Sequence, residues 1–254
     1  MTSSPEVALS VRNLGVTFSD ASGVVHAVHD LSFSLAPNEF VSLIGPSGSG
    51  KSTLLRVLAG LIPPTHGTFE YHQRQPKVGL VFQNANLMPW RRVIDNVSLP
   101  LELQDIPQSQ IEKRALELIQ LVGLEGFEQA YPRDLSGGMA QRVAIARSLM
   151  QDPDVLLLDE PFGSLDDLTR ERMGDELLHI WQARRKTVLM VTHSISEAVY
   201  LSDRVLTLSP RPGMIKLSLN IDLPRPRTPN LRAASEFSAL AQTLRESLRD
   251  EVTL

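Results

Sequence analysis

Apolar and polar positions alternate between Val7 and Ala36, broken by Asp20-Ala21-Ser22-Gly23. Period two on both sides of a turn predicts two strands folded into an antiparallel hairpin. The pattern then changes. Phe40-Val41-Ser42-Leu43-Ile44, Val78-Gly79-Leu80-Val81-Phe82, Val155-Leu156-Leu157-Leu158 and Thr187-Val188-Leu189-Met190-Val191 are short, nearly unbroken apolar runs. Such runs predict strands covered on both faces, as in a parallel sheet. From about Pro89 to Gln151 the period is helical. Ile111, Ala115, Leu118, Ile119 and Val122 fall at i, i+4, i+7, i+8 and i+11, one stripe of an amphipathic helix. Pro210-Arg211-Pro212-Gly213 predicts a turn, and Pro224-Arg225-Pro226-Arg227-Thr228-Pro229 a stiff, extended connector. A last stripe of Leu231, Ala234, Phe237, Leu240, Ala241, Leu244 and Leu248 predicts a terminal helix, packed on its own domain in the favoured reading and used as a subunit contact in the alternative.

The first buried run feeds Gly45-Pro46-Ser47-Gly48-Ser49-Gly50-Lys51-Ser52, and Thr53 to Ala59 follows at helical spacing. A strand, a G-x-x-x-x-G-K-[ST] loop and a helix in that order make a P-loop, whose backbone N–H groups turn inward onto phosphate oxygens. Lys51 is expected at the β- and γ-phosphates, Ser52 on Mg²⁺ and Thr53 beside the α- and β-phosphates. Val155 to Leu158 then runs into Asp159 and Glu160. Carboxylates at the end of a parallel strand lie where α/β sheets bind ligands. Asp159 is expected to hold Mg²⁺, and Glu160 to polarise the attacking water.

A second phosphate-binding element appears in Leu135-Ser136-Gly137-Gly138-Met139-Ala140-Gln141-Arg142. Ser136 predicts a helix N-cap. Two glycines in the first turn sacrifice helix propensity but bare the N–H groups at the positive end of the helix dipole. This stretch resembles the signature motif of ATP-binding-cassette (ABC) ATPases, and the resemblance runs from about Val7 to Ser209. It implies that Ser136, Gly137, Gly138 and Gln141 of one subunit contact ATP held by the other. It further implies that Gln83 is the Q-loop glutamine sensing Mg²⁺ and the γ-phosphate. Ser164-Leu165-Asp166 resembles the D-loop, with Asp166 at the shared nucleotide. His193 resembles the H-loop histidine of the γ-phosphate, and Phe18 the aromatic that stacks on adenine. The implied fold is an α/β P-loop NTPase: a core sheet with an antiparallel β subdomain and an inserted helical subdomain. In a single ABC ATPase domain of 254 residues, 1–88 and 152–222 would form the core, 89–151 the helical subdomain, and 223–254 the connector and last helix.

Composition narrows the setting. A net charge of −4 disfavours nucleic acid as a partner, and the lack of cysteine excludes disulfides, thiol catalysis and zinc ribbons. No cationic segment followed by an apolar one opens the chain, so no secretion signal is expected. No run approaches the ~20 apolar residues that span a bilayer. One P-loop and one signature imply a head-to-tail homodimer. Asn86-Leu87-Met88-Pro89-Trp90-Arg91 and Leu208-Ser209-Pro210-Arg211-Pro212-Gly213 resemble the nitrate, sulfonate and taurine importer branch. That implies ATP hydrolysis on the cytoplasmic face of the membrane, an integral-membrane permease as partner and, indirectly, a solute-binding protein. The alternatives are a soluble ABC ATPase, as in iron–sulfur assembly, and an exporter or lipid-transport ATPase. Trp90 has two readings, a partner anchor or a buried residue of the helical lobe.

Overall fold

The computed structural model describes residues 6–20, 23–104, 106–163 and 165–249. Along the chain come β1 (Leu9–Asp20), β2 (Gly23–Leu35), β3 (Phe40–Ile44), α1 (Lys51–Leu58), β4 (His66–Tyr71) and β5 (Val78–Val81). Next are α2 (Val93–Glu102), α3 (Gln108–Leu121), α4 (Gly137–Leu149), β6 (Val155–Asp159), α5 (Asp167–Arg184) and β7 (Thr187–Val191). The chain finishes with α6 (Ile195–Leu201), β8 (Arg204–Leu208), β9 (Ile215–Asn220) and α7 (Ser235–Arg249). Two compact units result, one of residues up to Pro76 together with Lys186 onward, the other Lys77–Arg185.

In the first unit β3 lies between β7 and β8, parallel to both, and β9 pairs antiparallel to β8. Every residue of β3 and β7 is buried, as their unbroken apolar runs require. A separate antiparallel sheet has the order β2-β1-β4. The hairpin of β1 and β2 is the expected one, though Ala21 and Ser22 of its turn lie outside the described residues. β4 adds the third strand along β1, from Leu9↔Tyr71 to Gly15↔His66.

The second unit pairs β5 with β6 in parallel and packs α2, α3 and α4 against one another. The stripe read from sequence is the buried side of α3, with Ile111, Ala115, Leu118 and Ile119 inside. Two boundaries differ from expectation. The helix after the P-loop begins at Lys51, directly on Gly50, because the loop's last residue already serves as N-cap. β5 stops at Val81, since the Phe82 carbonyl accepts a hydrogen bond from the Gln141 side chain instead of a strand partner.

The connector before α7 is not a free spacer. Arg225 pairs with Asp203 at 2.7 Å, and Arg227 is driven inward until only 5% of it is exposed. Its guanidinium donates to the carbonyls of Val199 (3.1 Å), Tyr200 (2.8 Å) and Ile221 (3.3 Å). The first two end α6, so a buried cation sits where helix carbonyls lack partners and the dipole is negative. Burial first, and then the charge of Arg225, bring its pKa down to about 10, leaving it charged at neutral pH. Arg232 covers the Tyr200 ring at 3.6 Å, and Phe237, Ala241 and Leu244 of α7 are buried. The last helix is thereby packed against α6, β8 and β9 of its own unit. Arg227→Ala should lower the unfolding free energy by about 3 kcal/mol, because three carbonyls lose a charged donor in a buried setting. Urea denaturation followed by circular dichroism measures it; a loss under about 1 kcal/mol would mean that water replaces the guanidinium.

Candidate nucleotide site

In the first unit the P-loop is shaped by two left-handed glycines, Gly48 at φ 78° and Gly50 at φ 86°. Neither can be replaced without strain, and Gly50 has no room either: a Cβ there would stand 2.5 Å from the Ala27 carbonyl oxygen on β2. Gly45, the first glycine of the loop, is not left-handed. Its missing side chain instead admits Ser49 Oγ and the Leu208 Cβ, 3.0 and 3.1 Å from where a Cβ would be. Lys51 is buried and aims its ammonium across the loop, donating to the carbonyls of Gly45 (2.9 Å) and Pro46 (2.8 Å). A cation held inside a ring of curled backbone is a receptor for a polyphosphate. Ser52 and Thr53 follow in the first turn of α1, half-buried.

The turn at 210–213 braces this loop, which the sequence did not reveal. Arg211 donates to the Gly48 carbonyl at 3.2 Å. Gly213 donates to the Ala27 carbonyl at 3.1 Å, and a Cβ on it would collide with the Ser49 carbonyl. Phe18 is paired with Val25 and is 48% exposed, which excludes a core role and leaves its ring available for stacking. His193 follows β7 on an exposed loop.

In the second unit β6 delivers Asp159 and Glu160. Asp159 is buried at the strand's end, and Glu160 turns sharply with φ 44°. A non-glycine residue held in the left-handed region marks a position that its surroundings over-determine. The Gln83 amide donates to Glu160 Oε2 at 3.4 Å, so β5 and β6 bring these two residues together. Gly163 leaves space for both: its Cβ would stand 3.3 Å from each.

The signature helix α4 starts at Gly137, with the Ser136 hydroxyl accepting from the Met139 N–H at 3.3 Å. The two glycines divide their work. Gly137 is exposed, whereas Gly138 is buried facing Met173 and Thr169 of α5. Only one of them is therefore bare to an approaching anion. Gln141, expected beside the nucleotide with Ser136, is corrected by the structure. It is 4% exposed and donates to the Phe82 carbonyl at 3.1 Å, tying α4 to the residue before Gln83. One turn into a helix, its side chain points into the lobe while residues 136 and 137 stay at the tip.

Asp166 caps α5 by accepting from the Thr169 N–H at 3.0 Å, and that bond, with the Thr169 hydroxyl, holds its pKa below the usual carboxylate range. Its capping contribution is thus fully present above the ordinary carboxylate pKa and fades as pH falls through the lowered one. Ser164, the start of the expected D-loop, lies outside the described residues.

Residues after Gln83 are held from within the lobe. Arg147 donates to the carbonyls of Ala85 (2.7 Å) and Asn86 (2.9 Å). Asn96 bonds the Met88 N–H at 2.8 Å and the carbonyls of Met88, Arg91 and Arg92. Arg91 forks onto Glu102 at 2.6 and 2.7 Å. Trp90, in the middle, is 73% exposed, so the buried reading is overturned. Neither Arg147 nor Asn96 shows a motif; a polar residue on the inner face of an amphipathic helix is the one signal that could have marked them.

A curled P-loop after a buried strand, a strained acidic pair and a glycine-started helix in an inserted lobe define a nucleotide-hydrolysing cassette. Comparison with known proteins gives the family. The ABC transporter family model matches residues 28–163. An uncharacterized ABC transporter ATP-binding protein of Methanocaldococcus jannaschii is 48% identical over 252 residues, spanning 97% of this chain and 93% of that protein. The taurine import ATP-binding protein TauB of Rhizobium johnstonii is 43% identical over 251 residues, 94% of this chain and 96% of the relative. The nitrate import ATP-binding protein NrtD of Synechocystis is 43% identical over 256 residues, 96% of each. An ATP-binding cassette solved as a dimer in a post-hydrolysis state with ADP and Pi superimposes with a TM-score of 0.74 at 32% identity, covering 85% of this chain and 99% of that one. The chain belongs to the ABC transporter family and is an ATP-binding, ATP-hydrolysing subunit of it.

Gln141→Leu should keep the fold and nucleotide affinity but release the Phe82 carbonyl, letting Gln83 drift from Glu160. The stability loss should be about 1 kcal/mol, one buried hydrogen bond, with a clear fall in kcat at unchanged ATP affinity. Equal kcat in variant and parent would show that the tie does not position Gln83.

Proposed function

We propose that this chain powers a membrane importer for a small anion of the nitrate, sulfonate or taurine kind, working as a head-to-tail homodimer at the cytoplasmic face of the membrane. The observation that carries the reading is Trp90, a large aromatic left exposed on a segment whose backbone is fixed by Arg147 and Asn96. Similarity to sulfonate, taurine and nitrate import ATP-binding proteins at 41 to 43% identity supports the same branch. No helix of the described residues is long and apolar enough to cross a membrane, so the translocation path would belong to a permease.

Phe18 would stack on adenine while the N–H groups from Gly45 to Thr53 take the phosphates. The Lys51 ammonium would neutralise the β- and γ-phosphates, and His193 would reach the γ-phosphate. Ser52 in the first unit, and Asp159 and Gln83 in the second, each offer a hard oxygen donor of the kind that suits Mg²⁺, which when bound would offset phosphate charge. Glu160 would accept a proton from the attacking water, held in place by the Gln83 amide. Ser136 and Gly137, with Asp166 beside the interface, would meet the ATP of the second subunit, and twofold symmetry closes both sites at once. Since Gln83 begins the segment that carries Trp90, a change at the γ-phosphate could be passed to a permease helix as a displacement of that segment.

Two experiments test this. Glu160→Gln should bind ATP normally, hydrolyse it at under about 1% of the parental rate, and form a dimer with ATP by size exclusion. Parental turnover in that variant would remove Glu160 from the mechanism. Trp90→Ala should leave the basal ATPase of the isolated chain unchanged and weaken capture of the permease. The loss of an interface anchor of this kind is about 2 kcal/mol, roughly thirtyfold in affinity. Undiminished permease capture and solute uptake would place the coupling surface elsewhere.

A further inference from the structure

Three side chains meet on the antiparallel sheet of the first unit with no part in the scheme above. His29 Nε2 lies 3.4 Å from one carboxylate oxygen of Asp30, and His66 Nε2 lies 3.4 Å from the other. One donor atom from each of the three falls within 4.8 Å of the others. These are long separations for charge-assisted hydrogen bonds, which run about 2.7–2.9 Å. Each is close to the about 3.3 Å that separates two donors about 2.05 Å from a tetrahedral centre, with the two imidazoles facing different oxygens of the one carboxylate.

The backbone is bent to make this meeting. On one side of β1 the pairs Leu14↔Leu31 and Val16↔Val28 leave Gly15 facing both His29 and Asp30, a β-bulge of two residues against one. On the other side Arg12↔Thr68 and Gly15↔His66 leave Asn13 and Leu14 facing Gly67, a second bulge. Asp30 (φ 48°), Asn13 (φ 47°) and Gly67 (φ 75°) take the left-handed conformations that the bends demand. Among the register shifts along β1, these two meet at Gly15, and that residue is glycine. A Cβ on Gly15 would clash with the His66 ring, most closely at Cε1. Glycine weakens a strand interior and is found where something must approach closely; here His66 crosses β1 to reach Asp30 on β2. Bulges serve to re-aim side chains.

We propose that His29, Asp30 and His66 bind a divalent transition-metal ion of the Zn²⁺ class, separate from the Mg²⁺ of the nucleotide site. Two imidazoles and one carboxylate suit Zn²⁺, Co²⁺, Ni²⁺ or Cu²⁺ and not Mg²⁺ or Ca²⁺, which take oxygen donors. The three side chains are about half exposed, at 47, 52 and 43%. That leaves the remaining coordination position open to water. The ion would pin β2 to β4 across β1, and β2 is the strand whose Ala27 carbonyl bears on Gly50 of the P-loop.

Equilibrium dialysis of the nucleotide-free full chain against Zn²⁺, with Co²⁺ absorption as a second readout, tests the assignment. The parent should bind one Zn²⁺ per chain at this site and unfold at a higher temperature with the ion than without. His29→Ala and His66→Ala should each weaken binding by at least about tenfold. Gly15→Ala should do the same while removing no donor, by pushing the His66 ring aside. His26→Ala and His72→Ala should leave binding unchanged, because those rings are engaged by Thr17 (3.0 Å) and Ser10 (2.7 Å). Asp159→Asn, altered at the nucleotide site, should also keep it. Absent Zn²⁺ binding in the parent, or full affinity in a His66→Ala chain of native circular dichroism, overturns the proposal. Loss of binding in Asp159→Asn overturns it as well, by moving the ion to the nucleotide site.

Discussion

A loop that offers its backbone N–H groups to a polyanion must curl so that they point inward. Here that requirement is met by two left-handed residues, Gly48 and Gly50, and much of the first unit is arranged to hold them. β3 supplies a rigid, fully buried approach and α1 begins the moment the loop ends. β2 presses its Ala27 carbonyl against Gly50 so closely that no side chain fits between them. The turn at 210–213 adds Arg211 on the Gly48 carbonyl and Gly213 against Ser49. The Gly48 carbonyl is taken by Arg211 from outside the loop, and the Gly45 and Pro46 carbonyls by the loop's own Lys51 ammonium.

The second unit meets a different constraint, that of holding the Glu160 carboxylate in one place. Glu160 leaves β6 in a backbone conformation that few non-glycine residues adopt. Such strain persists only where neighbours enforce it, and the neighbours are identifiable: the buried strand behind it, the Gln83 amide in front and Gly163 giving way beside it. Gln141, Arg147 and Asn96 carry that order outward from Phe82 to Arg92. A segment whose backbone is tied at so many points is held as one piece.

Much of this was legible in the chain itself. Unbroken apolar runs announce β3, β6 and β7 because strands covered on both faces have no polar side to show. The period of 3.6 announces α3, and the glycine–lysine–serine spacing announces the P-loop, since few other residues tolerate that backbone. Ser136 as an N-cap and the paired glycines behind it are equally local signals, whose physics lies within one turn of helix.

What the sequence could not determine is which side chain faces which neighbour. Gln141 and Ser136 stand five residues apart in one motif, yet rotation about the helix axis sends one into the lobe and leaves the other at its tip. Pro224 to Pro229 has the composition of a spacer, and only the open carbonyls at the end of α6 explain why Arg227 is buried there. Trp90 reads as a surface anchor or, less readily, as core until the lobe's packing exposes it. His66 lies far along the chain from the adjacent His29 and Asp30, and the three match no motif. Two bulges and the missing side chain of Gly15 bring them together, because strand register is settled by pairing across the sheet and not by the order of residues within a strand.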